Sequence, residues 1–210
     1  MEPTGVMGAI HQIADKVSKL AYLNLLWILF TLMGLFIFGL FPATIAMFTI
    51  LRKIVLKEDF NIFGLFWKTY KEEFFKGNLL GLFLVVINII TITHFLFFKE
   101  VTGAVEVLFF PMVIVAILLL LMTLFVFPVY VHFHLNFLNV FKTSFSFMLL
   151  YPLSSLSLVV NSLIFIFIMY NFPAIIIFYG GSIIGLIIMT SANRAFKKNA
   201  EKLEQVKTQD

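Results

Sequence analysis

The side chains that could do chemistry in this sequence are few and are badly spaced for it. His132 and His134 stand two residues apart in Val131-His132-Phe133-His134. On a helix that spacing sends the two rings to different faces, so they do not readily close on one metal ion. No carboxylate lies near them, and the chain has no cysteine, which leaves neither disulfides nor thiolate ligands. The two rings, and His94, read as interfacial histidines near span ends. No serine stands in a nucleophile-elbow setting, and no glycine loop is built for phosphate. Gly180-Gly181 is not followed by the Lys-Ser or Lys-Thr that a phosphate loop requires. Catalytic, cofactor-binding and metal-ligating residues are therefore all assigned as none, and no enzyme is expected.

The remaining polar candidates are amides. Asn24, Asn88 and Asn161 lie within apolar runs, and Asn78, Ser162 and Asn171 lie in or beside such runs. Such side chains cross-link membrane helices by hydrogen bonds. A polar solute path lined by Asn24, Asn88 and Asn161 is the competing expectation. No Asp, Glu, Lys or Arg lies well inside any apolar run. Ion-coupled transporters and proton pumps keep such groups in the bilayer despite their cost, so their absence argues against both.

The elements that carry these residues are set by composition. Of 210 residues, 61% are hydrophobic and 12% charged, with 28 Phe and a mean hydropathy of +1.05. A soluble domain carries roughly 25% charged residues. Half of that cannot cover a water-soluble globule of this size, so membrane lipids must be the solvent for most of the chain. The net charge of +4 does not indicate nucleic acid, because the basic residues flank apolar runs as they do at a membrane surface.

The chain reads as one membrane domain, 1–210. Residues 1–19 form an amphipathic N-terminal helix, with Val6, Ile10, Ile13, Val17 and Leu20 on one stripe. They lack the apolar core of a cleavable signal peptide. Residues 20–56 are uncharged up to Leu51, too long for one ordinary span of about 20 residues. A turn at Gly39, Pro42 and Thr44 would divide them into a span and a short returning helix, since proline suits a helix start. Residues 57–76 form a cytoplasmic interfacial helix capped by Asp59. Phe63, Trp67, Tyr70 and Phe74 line one stripe with Lys68 and Lys71 nearby, a face suited to the interface or to a partner. A Glu72–Lys76 pair at i,i+4 would support it. Four further runs follow within 77–192, at 77–98, 108–131, 148–169 and 174–192, and 193–210 is a charged tail.

The fold class expected is thus all-α: a polytopic helical membrane protein of five or six membrane segments. The six-segment reading puts fourteen of the fifteen Lys and Arg on one side and Lys99 alone on the other. The five-span reading divides them twelve to three. Basic residues mark the cytoplasmic side, so both readings make the C-terminus cytoplasmic. The cleaner count makes the N-terminus cytoplasmic too. Gly77-x-x-x-Gly81 and Gly181-x-x-x-Gly185 match the close-packing motif of membrane helices, which leaves a homo-oligomer open.

Three stretches resemble the YesL family of small bacterial membrane proteins. Asn24-Leu25-Leu26-Trp27 leads through Gly39 to Phe41-Pro42-Ala43-Thr44-Ile45-Ala46-Met47. The family typically has a Gly-Pro-Ala-Thr-Ala-like turn there, and Leu40-Phe41 departs from it. Phe63-Gly64-Leu65-Phe66-Trp67-Lys68 runs on through Phe74-Phe75-Lys76-Gly77-Asn78, and Phe127-Pro128-Val129-Tyr130 through Phe141-Lys142 to Ser144-Phe145. The resemblance implies an accessory or regulatory protein of the bacterial cytoplasmic membrane, associated with carbohydrate uptake. Its partners would be subunits of an ATP-driven sugar importer of the ABC class. A small permease for an uncharged solute or lipid is the alternative.

Overall fold

A computed structural model describes residues 6–99 and 109–207. They form eight helices: α1 (Val6–Met33), α2 (Ile37–Leu56), α3 (Ile62–Glu72), α4 (Phe74–Lys99), α5 (Phe109–Phe133), α6 (Phe137–Leu150), α7 (Pro152–Asn171) and α8 (Ala174–Lys207). No strand occurs among the described residues. The fold is all-α, and all of these helices except α3 and α6 are long and apolar enough to cross a membrane.

Two expected boundaries are missing. The amphipathic stripe of 1–19, where it is described, is the start of α1 rather than a separate surface helix, and the charged tail continues the last span as α8. No Gly or Pro falls between Gly8 and Gly34, or between Gly185 and Lys207. Nothing in either stretch breaks the backbone ladder. The span expected at 148–169 begins instead at Pro152, in the first turn of α7, where its missing N–H costs nothing. Ahead of it lies α6, an element the hydropathy pattern had not separated.

The turn of the first hairpin also differs. Gly39, Pro42 and Thr44 all lie inside α2, and the chain reverses at Gly34-Leu35-Phe36. Leu35 and Phe36 take positive φ, 55° and 64°. Phe36 donates its N–H to the Thr31 carbonyl at 2.9 Å. Gly34 and Gly39 make the reversal tight, because a Cβ on Gly34 would collide with the backbone of Gly39, and one on Gly39 with the Thr31 and Phe30 carbonyls. Pro42 is tolerated in the helix because the Phe38 carbonyl, which its missing N–H would have served, accepts instead from the Asn78 side chain of α4 at 2.9 Å. Lys57 ends α2 in the left-handed conformation, its N–H on the Ile54 carbonyl.

The core gathers around α2. Ala43, Ile45, Ala46, Ile50 and Leu51 are buried there, against α1, α3, α4, α5 and α8. Its first half meets the start of α4: Gly77 lies against Pro42 and Ile45, and Gly81 against the Phe41 ring. Its second half meets the end of α5, where Phe48 stacks on Phe127 at 5.6 Å. The start of α4 and the end of α5 adjoin each other, joined by the Tyr130 hydroxyl donating to Glu73. Both halves of α2 therefore rest against one end of the α4–α5 pair.

Candidate functional site

Of the residues expected to form a partner face, all but Phe74 sit on α3, and they divide between two roles. Asn61, and not Asp59, caps α3, its side chain accepting from the Gly64 N–H at 3.1 Å. An Asn side chain at this position satisfies one of the first-turn donors that have no intrahelical partner. Phe66 and Tyr70 are buried. Phe30 of α1 meets both rings at 5.0 Å, and the Tyr70 hydroxyl donates to the Phe30 carbonyl at 3.1 Å. Burial pushes the Tyr70 phenol above its ordinary pKa. Phe63 and Trp67 flank Phe66 and Tyr70 on the same side, their rings 6.5 and 5.4 Å from that of Phe30, yet both stay exposed, as do Lys68 and Lys71, with the Lys71 ammonium 4.7 Å from the Trp67 ring centre. Phe74 belongs to α4, where its ring meets Tyr70 edge-on at 5.7 Å. The break at Glu73 also puts Glu72 and Lys76 on different helices, so the expected i,i+4 pair is not formed.

Beside this helix lies a polar cleft that the sequence did not announce. It has a volume of about 390 Å³ and is lined by Glu73, Lys76, Tyr130, His134 and Asn136 with apolar neighbours. The ends of α3, α4, α5 and α6 converge there. Glu73 and Tyr130 are 57 residues apart, so only the fold unites them. The cleft offers a carboxylate, an ammonium, a phenol, an imidazole and an amide. That set suits binding of a small polar group. Its lining has no Ser or Thr that a base could activate. No group of three His, Asp or Glu suited to a metal occurs among the described residues.

The asparagines lie at separate helix interfaces. Asn24 is buried between α1 and α8. Its amide donates to the Ile177 carbonyl at 2.7 Å, and its oxygen accepts from the Gly181 and Ser182 N–H groups. It thus takes both groups that one rung of the α8 ladder would join. Asn88 donates to Leu84 within α4 and, at 3.4 Å, to Thr123 of α5. Asn161 is exposed and, among the described residues, bonds Ser157 on its own helix. The three are not brought together along one path. Thr44 serves as a local link, accepting from the Trp27 indole at 3.0 Å and donating to Leu40. Both glycine pairs are covered by the chain itself: Gly77 and Gly81 by α2, Gly181 by Trp27 and Gly185 by Leu51 and Met47. A second, apolar groove of about 740 Å³ opens between α5 and α7.

Comparison with known proteins adds kinship without a mechanism. Residues 20–95 match a family described as "Protein of unknown function, DUF624". The chain is 33% identical to the uncharacterized protein YesV of Bacillus subtilis (strain 168), over 96% of this chain and 98% of that one. It is 32% identical to uncharacterized YteU of the same organism, over 88% and 83%, and 30% identical to uncharacterized YesL, over 96% of each. No solved structure matches it significantly.

Proposed function

We propose that this chain, which belongs to the YesL-like family of membrane proteins, is a non-enzymatic accessory component of the bacterial cytoplasmic membrane that docks on a transporter. An ATP-driven sugar importer is the partner that the family resemblance suggests. One observation carries the docking role. Phe63, Trp67, Lys68 and Lys71 of α3 are exposed, while Phe66 and Tyr70 beside them are buried against Phe30 and fix the helix to α1. Exposed aromatics beside cations, held rigid by buried neighbours on the same helix, make a surface that binds with little loss of conformational freedom. The test is purification of the tagged chain from its native membrane in mild detergent. Transporter subunits should co-purify, and Phe63→Ala with Trp67→Ala should release them without loss of helicity. Recovery of the chain with lipid alone would sink the proposal.

The contacts of α2 support five crossings, by α1, α4, α5, α7 and α8. Both halves of α2 rest on the end of the α4–α5 pair that carries Glu73, Lys76 and His134. With α3 it then forms a returning pair on the cytoplasmic side, and the N-terminus is external. Twelve Lys and Arg remain on the cytoplasmic side, with the C-terminus. The permease reading gains support from the open α5–α7 groove. The dispersal of Asn24, Asn88 and Asn161 speaks against a shared path for a polar solute.

A further inference from the structure

Two cavities share Pro152, the first residue of α7. The first is the α5–α7 groove. Helix α8 packs on both α5 and α7 and floors the gap with Ile184 and Ile188. From α7 come Pro152, Ser155, Val159, Ser162 and Ile166. Their spacing of three and four makes one stripe about 21 Å long at 1.5 Å per residue. The Ser162 hydroxyl in this wall is buried without a hydrogen-bond partner among the described residues. The second cavity, about 320 Å³, is lined by Tyr151, Lys198, Glu201, Lys202 and Gln205 among others. The Lys202 ammonium lies 5.5 Å from the Tyr151 ring centre.

The two cavities meet at Pro152, and α8 lines both. Ile184, Ile188, Lys198 and Lys202 fall within a narrow arc of the helix at 100° per residue. Ser191 and Ala195, between them on that arc, are buried, so a molecule occupying both cavities passes over Pro152 and meets apolar side chains first and ammonium groups at the Lys/Arg-rich end. Two lysines outweigh the single Glu201 at this mouth. The groove falls short of the roughly 30 Å needed to cross the bilayer, so it fits a chain entering from one leaflet better than a whole transmembrane helix.

We infer that these cavities form one site for an anionic phospholipid of the leaflet on the C-terminal side. The headgroup phosphate sits between Lys198 and Lys202, and one acyl chain fills the groove between α5 and α7. The inference does not depend on a transporter partner.

The test uses the full chain in neutral detergent, with phosphatidylglycerol or phosphatidylcholine added. Binding is read by native mass spectrometry and by the rise in melting temperature. Phosphatidylglycerol should bind at least about tenfold more tightly, the scale expected of two lysines at a membrane surface. Lys198→Gln with Lys202→Gln, both exposed positions, should erase that preference and leave helicity unchanged. Val159→Phe in the groove wall should weaken both lipids. Equal binding of the two lipids by the parent chain overturns the site, as does a preference that survives the double lysine change. So does a Val159→Phe variant that keeps its lipid but loses a second copy or a transporter subunit, because the groove would then belong to a helix.

Discussion

At the scale of single residues, two asparagines of similar sequence context have opposite environments. Asn24 and Asn161 both interrupt apolar runs. Asn24 holds three backbone groups of α8, whereas Asn161 is exposed and bonds its own helix. Asn24→Leu should therefore cost about 1–3 kcal/mol, the penalty for leaving buried polar groups unpaired. Asn161→Leu should change thermal stability in detergent by less than about 0.5 kcal/mol. Equal effects would mean that Asn24 is not a clamp. Lys57 carries a second prediction. It sits at φ 58°, where a side chain costs roughly 1–2 kcal/mol and glycine does not pay it. Lys57→Gly should raise the melting temperature, and a fall would show that the cap is not strained. Of these features the sequence displayed the residue types only. Which asparagine is buried depends on which helix lies opposite it.

At the scale of elements, the α2–α3 joint carries a pH-dependent contact. The Glu58 carboxylate accepts a hydrogen bond from the Lys53 ammonium at 2.6 Å. That bond is the largest cause holding its pKa below the usual carboxylate value; burial opposes it, and the charges of Lys53 and then Arg52 lower it further. A lowered folded-state pKa means that the unfolded chain binds the proton more readily. The contribution is complete above the ordinary Glu pKa and fades as pH falls through the lowered one. Melting temperature should drop on acidification across that window, and Glu58→Gln should flatten its part of the slope. An unchanged slope would remove Glu58 as a source. The packing of α4 on α2 gives a further prediction. A Cβ on Gly81 would collide with the Phe41 ring, so Gly81→Val should destabilise by about 1–3 kcal/mol through overpacking. A neutral result, read in detergent melts, would show that Phe41 swings clear. The Gly-x-x-x-Gly spacing was visible in the sequence, but its partner was not, because a glycine pair fits any close neighbour.

At the scale of the molecule, the number of crossings is open to direct measurement. A reporter active only outside the membrane, fused at the N-terminus, should be active if α2 and α3 form a returning pair. An inactive one would restore six crossings. Residue counts favoured six, fourteen basic residues against one. The contacts of α2 favour five, because they tie both of its halves to one end of the α4–α5 pair. Hydropathy cannot separate these readings, since α2 is as apolar as a span and reveals its setting only through what covers it.

The sequence by itself determined membrane residence, the all-helical class and the family. All three follow from composition and local pattern: too few charges for a water-facing surface, apolar runs of spanning length, and kinship along most of the chain. It also located the aromatic-basic helix within a few residues. Only the tertiary structure decided where the first hairpin turns, that α6 stands apart from α7, and that Glu73 joins Tyr130. It alone decided that Asn24 clamps while Asn161 does not, and that a groove with lysines at its mouth opens between α5 and α7. Each of these rests on groups distant along the chain meeting in space. Where nearly every residue is apolar, pattern alone distinguishes helix from loop, but not an inward face from one turned to lipid.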